Sequence, residues 1–237
     1  MAMIAVVGSR QSGKTTAVET LVQGLTKRGY RVATTKHIPE ANFTIDTEGK
    51  DTWRHAKAGA SIVISVAPHE FATIKKVDTA KYGLEEIIQE CEDMDIIVLE
   101  GFRKLIGQDP AVPKIVAVKA VDEVSDASSR FKPILTFVGP LPAEAARQEI
   151  PYVDVLKEPD RLIDMVDKKV AALIRKRRER KEVLSVQIDG HVLPLKPFVQ
   201  RIVRNTILSM ISTLKRAKIK GDENVFVTIK KVLKEKE

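Results

Sequence analysis

The chain is poor in the residues that build disulfide scaffolds and metal clusters. Cys91 is the only cysteine among 237 residues, so no internal disulfide can form and a reducing cytoplasm is the expected setting. The four histidines, His37, His55, His69 and His191, stand at no spacing that would close a zinc site with a single thiol. No apolar run reaches the roughly 18–20 residues that a bilayer span requires. The opening segment Met1–Val7 has no basic n-region and runs into a glycine-rich turn, so it reads as a buried strand and not as a signal peptide. Gly-x-Ser-x-Gly and His-Glu-x-x-His patterns are also missing, which removes the commonest serine-hydrolase and zinc-protease readings.

A net charge of +8 suggests nucleic acid until the charge is located. Residues 1–174 hold 23 Lys and Arg against 25 Asp and Glu, while residues 175–237 hold 17 against 7. The surplus therefore lies wholly in the last quarter. The run Arg175-Lys176-Arg177-Arg178-Glu179-Arg180-Lys181 has no interleaved aromatics, so it reads as the solvated end of a helix and a linker.

What is present is a Gly-x4-Gly-Lys-Thr pattern, Gly8-Ser9-Arg10-Gln11-Ser12-Gly13-Lys14-Thr15, followed by Thr16. It sits between an apolar strand (3–8) and an amphipathic helix (14–28) whose Val18, Leu21, Val22 and Leu25 recur at helical spacing, as phosphate binding requires. Gly8 and Gly13 let successive N–H groups turn toward phosphates, and the helix start adds its positive end. Lys14 is placed for the β- and γ-phosphates, and the Thr15 hydroxyl for Mg²⁺.

Further along, a second strand (30–36) ends in Lys36-His37, a pair suited to an anionic substrate. A polar loop and short helix follow, carrying Asp46, Lys50, Asp51 and Arg54. In a doubly wound sheet they emerge beside the nucleotide, where Asp46 suits Mg²⁺ or an attacking group and Lys50 and Arg54 suit phosphates. A solvated charged loop is the alternative. Ser61–Val66 reads as a buried strand, with 71–77 pairing to it. The apolar strand 95–100 ends in Glu100-Gly101, the place of the acid on the Mg²⁺ side of such sites. Strands 114–118 and 134–138, separated by a polar stretch, and a long helix from Asp160 complete the first domain (1–174).

Beyond the linker (175–181), residues 182–237 read as a small unit with strands at 183–188 and 225–232 around a helix opened by Pro197. The fold class is α/β of the P-loop NTPase type: a mostly parallel, doubly wound sheet with helices on both faces, plus a small C-terminal β-α-β appendage. No base-reading motif distinguishes GTP from ATP.

Taken together, the loop with Lys14-Thr15-Thr16, Lys36-His37, the block Asp46-x-x-Gly49-Lys50-Asp51-Thr52-x-Arg54, and Val98-Leu99-Glu100-Gly101-Phe102 with Lys114-Ile115-Val116 resemble the MobB family of molybdopterin-guanine dinucleotide biosynthesis adaptors. The resemblance implies GTP and Mg²⁺ as ligands, with Gly13, Lys14, Thr15 and Thr16 on the phosphates and metal, and Asp46 and Glu100 close to the metal. It also implies weak GTPase activity, a homodimer, a MobA-type guanylyltransferase as partner, and contact with molybdopterin or its guanine dinucleotide. A small-molecule kinase and a metal-insertion GTPase for another cofactor are the alternatives.

Overall fold

The computed structural model describes residues 1–79, 83–91, 94–140, 150–179, 184, 186–188, 191–193 and 195–214. The chain divides into two compact units, Met1–Arg175 and Lys176–Glu237.

The first unit is built on six strands: β1 (Ala2–Gly8), β2 (Val32–Lys36), β5 (Ile96–Glu100), β6 (Lys114–Ala117), β7 (Ile134–Val138) and β8 (Tyr152–Val153), in the spatial order β2-β5-β1-β6-β7-β8. Every pairing in this sheet is parallel. Parallel strands buried on both faces need apolar residues at successive positions, which is why the central strands read as unbroken hydrophobic runs. Ile4, Val6, Ile96 and Val98 face one layer, against Ala17, Val18, Leu21 and Leu25 of α1 (Lys14–Lys27) and Leu162, Val166 and Val170 of α6 (Pro159–Glu179). Their alternates Ala5, Val7, Ile97 and Leu99 face the other layer, closed by Ile106 of α4 (Arg103–Ile106), by Val124 and Ala127 of α5 (Asp122–Arg130), and by residues of α3 (Leu84–Glu90). The expected doubly wound α/β architecture is therefore present.

Three features differ from the sequence reading. The stretch between β6 and β7, expected to be polar connection, contains the helix α5, and α4 and the two-residue β8 were likewise not anticipated. The strand expected to be buried, β3 (Ile62–Ala67), lies outside the main sheet and pairs only with β4 (Glu70–Lys75). Only Val63 of β3 is buried, whereas Ile62, Ile64 and Val66 are more than half exposed, as is Phe71 across from Val66. An apolar run signals β structure but not which of its faces is covered. α2 (Asp51–Lys57) precedes this hairpin.

In the second unit, β9 (Val186–Ile188) and β10 (His191–Leu193) form an antiparallel hairpin, with α7 (Pro197–Ser212) after it. The described order is β-β-α in place of the first half of the expected β-α-β. The expected strand at 225–232 lies outside the described residues. Among the described residues no helix is long and apolar enough to cross a membrane.

The end of α1 is fixed to α6 by polar contacts. Arg28 pairs with Asp164 and, at 2.6 Å, with Asp167, which also accepts a 2.7 Å hydrogen bond from the Tyr30 hydroxyl. The Tyr30 hydrogen bond, helped by Arg28, holds the Asp167 carboxyl below its usual range. Its folded pKa lies below the unfolded one, so this stabilisation is complete above the ordinary value of 3.8 and is lost as pH falls through the folded value. Asp167→Asn is expected to lower stability by about 1 kcal/mol at pH 7. Its difference from wild type should shrink in urea titrations taken from pH 5 toward pH 3.

Candidate functional site

Chain order reverses at β1, with β5 on one side and β6 on the other, and ligands of such sheets bind at the carboxyl ends of the strands at this point. The carboxyl end of β1 is Gly8. Its φ is +151°, and a Cβ there would stand 2.2 Å from the Ala117 carbonyl oxygen, so no other residue fits. Gln11 (φ +57°) and Gly13 (φ +87°) then curl the chain into a concave loop of the kind that directs N–H groups at an anion. The buried Ser12 hydroxyl donates to the Ser9 carbonyl at 2.9 Å and closes the loop, and the Lys14 ammonium donates to the same carbonyl. Arg10 and Gln11 are exposed at the tip.

At the head of α1 the Thr15 hydroxyl donates to Glu100 Oε1 at 3.2 Å, and Lys36 Nζ meets that same oxygen at 3.2 Å. The register of the sheet produces this convergence, because Glu100 is aligned with Val6 of β1 on one side and with Lys36 of β2 on the other. Glu100 is 9% exposed. A hydroxyl beside a carboxylate is the hard-oxygen set that Mg²⁺ accepts, and with so few protein ligands Mg²⁺ keeps waters and takes phosphate oxygens. Thr15 and Glu100 therefore fit the ion. Thr16 is partly buried in the first turn, with its carbonyl accepting from the Thr20 hydroxyl.

Asp46 is held by the Thr52 hydroxyl (2.9 Å) and the Thr47 N–H (2.8 Å), both on Oδ1. Its Oδ2 is buried without a hydrogen-bond partner, which suits an oxygen turned toward a cation or water. Its hydrogen bonds tie it to its own loop and to Thr52 of α2, not to Thr15 or Glu100. His37 donates its N–H to the Glu100 carbonyl at 2.9 Å, and its ring stands edge-on to Phe102 at 5.5 Å. Lys50, Asp51 and Arg54 are exposed around the start of α2, where Arg54 pairs with Asp51 at 3.7 Å. Lys36 and His37 are thus brought to the loop, whereas no hydrogen bond or ion pair links the Lys50–Arg54 group to it among the described residues.

Two residues near the loop escaped sequence reading. Glu123 of α5 accepts from the Ser9 hydroxyl (3.3 Å) and from the Lys119 N–H (2.8 Å), tying the loop to the β6–α5 connection. Arg103 lines a cleft with Gly8 and Ser9. Glu123 carries no local signal, while Arg103 is marked only by following Glu100-Gly101. The Lys14 pKa is lowered, first by burial and next by the Arg103 charge, with Lys36 and Lys119 adding to the effect and Glu100 opposing it.

The family profile of molybdopterin guanine dinucleotide synthesis protein B, MobB, matches residues 3–136 and so spans the loop, Lys36-His37, Asp46–Arg54 and Glu100. A Methanocaldococcus jannaschii protein, by name a molybdopterin-guanine dinucleotide biosynthesis adapter protein, is 26% identical over 244 residues, which cover 91% of this chain and 92% of that one. Coverage of that extent reaches into the second unit. The adapter protein of Haemophilus influenzae is 35% identical over 117 residues, 48% of this chain and 61% of its own. Among solved structures, a molybdopterin-guanine biosynthesis protein B superposes with a TM-score of 0.55 at 25% identity, covering 71% of this chain and 99% of that one. Bacillus subtilis MobB shares the fold, with a TM-score of 0.53 at 22% identity over 70% of this chain and 98% of its own.

Proposed function

The chain belongs to the MobB family, and on that premise we propose that it is an adaptor in molybdenum cofactor biosynthesis which binds GTP with Mg²⁺ and assists a MobA-type guanylyltransferase in making molybdopterin guanine dinucleotide. The observation that carries the nucleotide part is the meeting of the Thr15 hydroxyl, the Lys36 ammonium and the Glu100 carboxylate at the head of α1, beside the Gly8–Thr16 loop. In this reading the loop N–H groups and Lys14 hold the phosphates, and Thr15 and Glu100 hold Mg²⁺, with Asp46 serving the ion or an attacking water. The ion supplies charge neutralisation between the phosphates. Lys36 and His37 then present a positive edge to an anionic pterin or nucleotide group, and Lys50 and Arg54, with Asp51, offer a further polar face.

Hydrolysis is proposed to be slow, because the hydrogen bonds of Asp46 run to Thr47 and to Thr52 of α2 and not to the Thr15–Glu100 pair. The nucleotide-binding domain is placed in residues 1–174 and the linker in 175–181. Residues 182–237 form an extension without an assigned role. A cytoplasmic homodimer completes the proposal, and the exposed apolar face of Ile62, Ile64, Val66 and Phe71 supports a second copy as a partner.

The test is displacement of labelled GTP by unlabelled GTP and ATP, with light scattering for the oligomer and a dinucleotide-forming assay containing the guanylyltransferase. GTP is expected to displace at least about tenfold better than ATP, a difference of about 1.4 kcal/mol, and the chain is expected to stimulate dinucleotide formation. Equal displacement by ATP together with no stimulation would overturn the proposal.

A further inference from the structure

The sharpest backbone feature near the loop follows Glu100. Gly101 and Phe102 have φ of +91° and +53°, two left-handed residues in succession, and the second is not a glycine. A bulky residue in that region is strained and persists only where its surroundings hold it. Here they do. The Gly101 N–H donates to the Val6 carbonyl at 2.9 Å, and the Phe102 ring packs against His37. The Phe102 carbonyl then accepts from Leu105 and Ile106, and the Ile106 side chain is fully buried. The turn sets the next residue, Arg103, at the wall of a cleft of about 100 Å³ that Gly8 and Ser9 also line.

The backbone of Arg103 is thus fixed while its side chain is exposed. The carboxylates that could neutralise it are engaged elsewhere. Glu123, in the same cleft, is bound to Ser9 and to the Lys119 N–H, and Asp126 is paired with Arg130 at 2.9 Å. Glu100 serves Thr15 and Lys36. Among the described residues Arg103 forms no ion pair. A guanidinium held on a rigid turn beside a phosphate loop, with no ion pair of its own among the described residues, is suited to an anion.

We propose that Arg103 is a nucleotide-contacting residue that takes the terminal phosphate of the bound triphosphate, so that the site distinguishes triphosphate from diphosphate. This inference rests on the nucleotide-binding reading above. The lowered Lys14 pKa agrees with it, because after burial the Arg103 charge is the largest influence on that ammonium. Two cations on one phosphoryl group share its charge as it is bound, and the second is left without a partner when the group is missing.

The experiment is calorimetric titration of the full chain with Mg²⁺ and either a non-hydrolysable GTP analogue or GDP, in wild type, R103A and R103K. R103A is expected to weaken the triphosphate by about tenfold to hundredfold, the range for a lost hydrogen bond to a charged group, and to change GDP less than about twofold. R103K keeps a point charge without the fork and is expected to fall between. Equal weakening of both nucleotides would overturn the proposal, since it would mark a general electrostatic or structural role. Unchanged triphosphate affinity would overturn it as well. A wild-type chain that binds neither nucleotide would instead remove the nucleotide-binding reading itself. Thermal unfolding of R103A within about 2 °C of wild type confirms that the variant reports on the site.

Discussion

Lys14→Ala is expected to weaken binding of Mg²⁺-GTP by at least about a hundredfold, equivalent to roughly 3 kcal/mol, while leaving the fold intact. The ammonium sits at the head of α1, where the loop backbone and the helix end already favour an anion, and it adds the full charge that those partial charges lack. Its hydrogen bond within the protein runs to the Ser9 carbonyl, which also receives Ser12, so that carbonyl stays satisfied after the substitution. Removal of a cation that is both desolvated and close to Arg103 does not weaken the folded chain electrostatically. The two expectations are separable in one thermal series. At a GTP concentration about 100 times the dissociation constant, bound nucleotide stabilises the wild type by about 2.7 kcal/mol, and the melting temperature should rise accordingly. K14A, binding at least about a hundredfold more weakly, should keep no more than about 0.4 kcal/mol of that stabilisation at the same GTP concentration. A nucleotide-dependent rise in K14A equal to that of the wild type would remove Lys14 from the site.

Lys114→Ala is expected to lower stability by about 3 kcal/mol, through a cavity and two stranded carbonyls. Lys114 opens β6 in the centre of the sheet and is 0% exposed. Its ammonium donates to the carbonyl oxygens of Asp109, at 2.6 Å, and Lys132, joining the segments that enter β6 and β7. Replacement by methionine keeps most of the volume and removes the buried charge, so K114M should lose only about 1–2 kcal/mol. Burial lowers the Lys114 pKa, with Asp109 opposing. The folded value therefore lies below the unfolded one, the unfolded chain binds more protons between the two, and stability gains as pH rises through that window toward 10.5. Urea titrations at pH 8 and pH 10 should show wild type gaining on K114M at the higher pH. If K114A were as stable as the wild type, the two carbonyls would have to find water in its place.

The phosphate loop could be read from the sequence because its chemistry is local: Gly8, Gly13, Lys14 and Thr15 owe their roles to spacing along one turn. The central strands could be read for a similar reason, since burial on both faces leaves an unbroken apolar run such as Ile96–Leu99. The nearness of Lys36 to Glu100 was beyond such reading, because it depends on the register between β2 and β5. α5 was missed because Asp122–Arg130 buries only Val124 and Ala127, too few apolar positions to give a helical period. Strand β3 was misjudged for the opposite reason: Ile62, Ile64 and Val66 look like core residues, and only the three-dimensional pairing shows that their face is uncovered. Arg103 belongs to the same class of omission, because its value comes from two left-handed residues that no pattern of side chains announces.

The central place of β1 has a consequence for how the chain is made. Its partners come late, since Ala2 is aligned with Ile96 and Ala5 with Lys114. At a synthesis rate of roughly 5–20 residues per second, β1 leaves the ribosome about 5–20 s before either neighbour. For that interval Ala2–Val7 is an apolar strand with two open edges, and the glycine loop behind it has no wall against Ala117 to shape it. A nascent chain stalled before residue 94 should therefore be bound by chaperones and fail on immobilised GTP, whereas the released full chain should be retained.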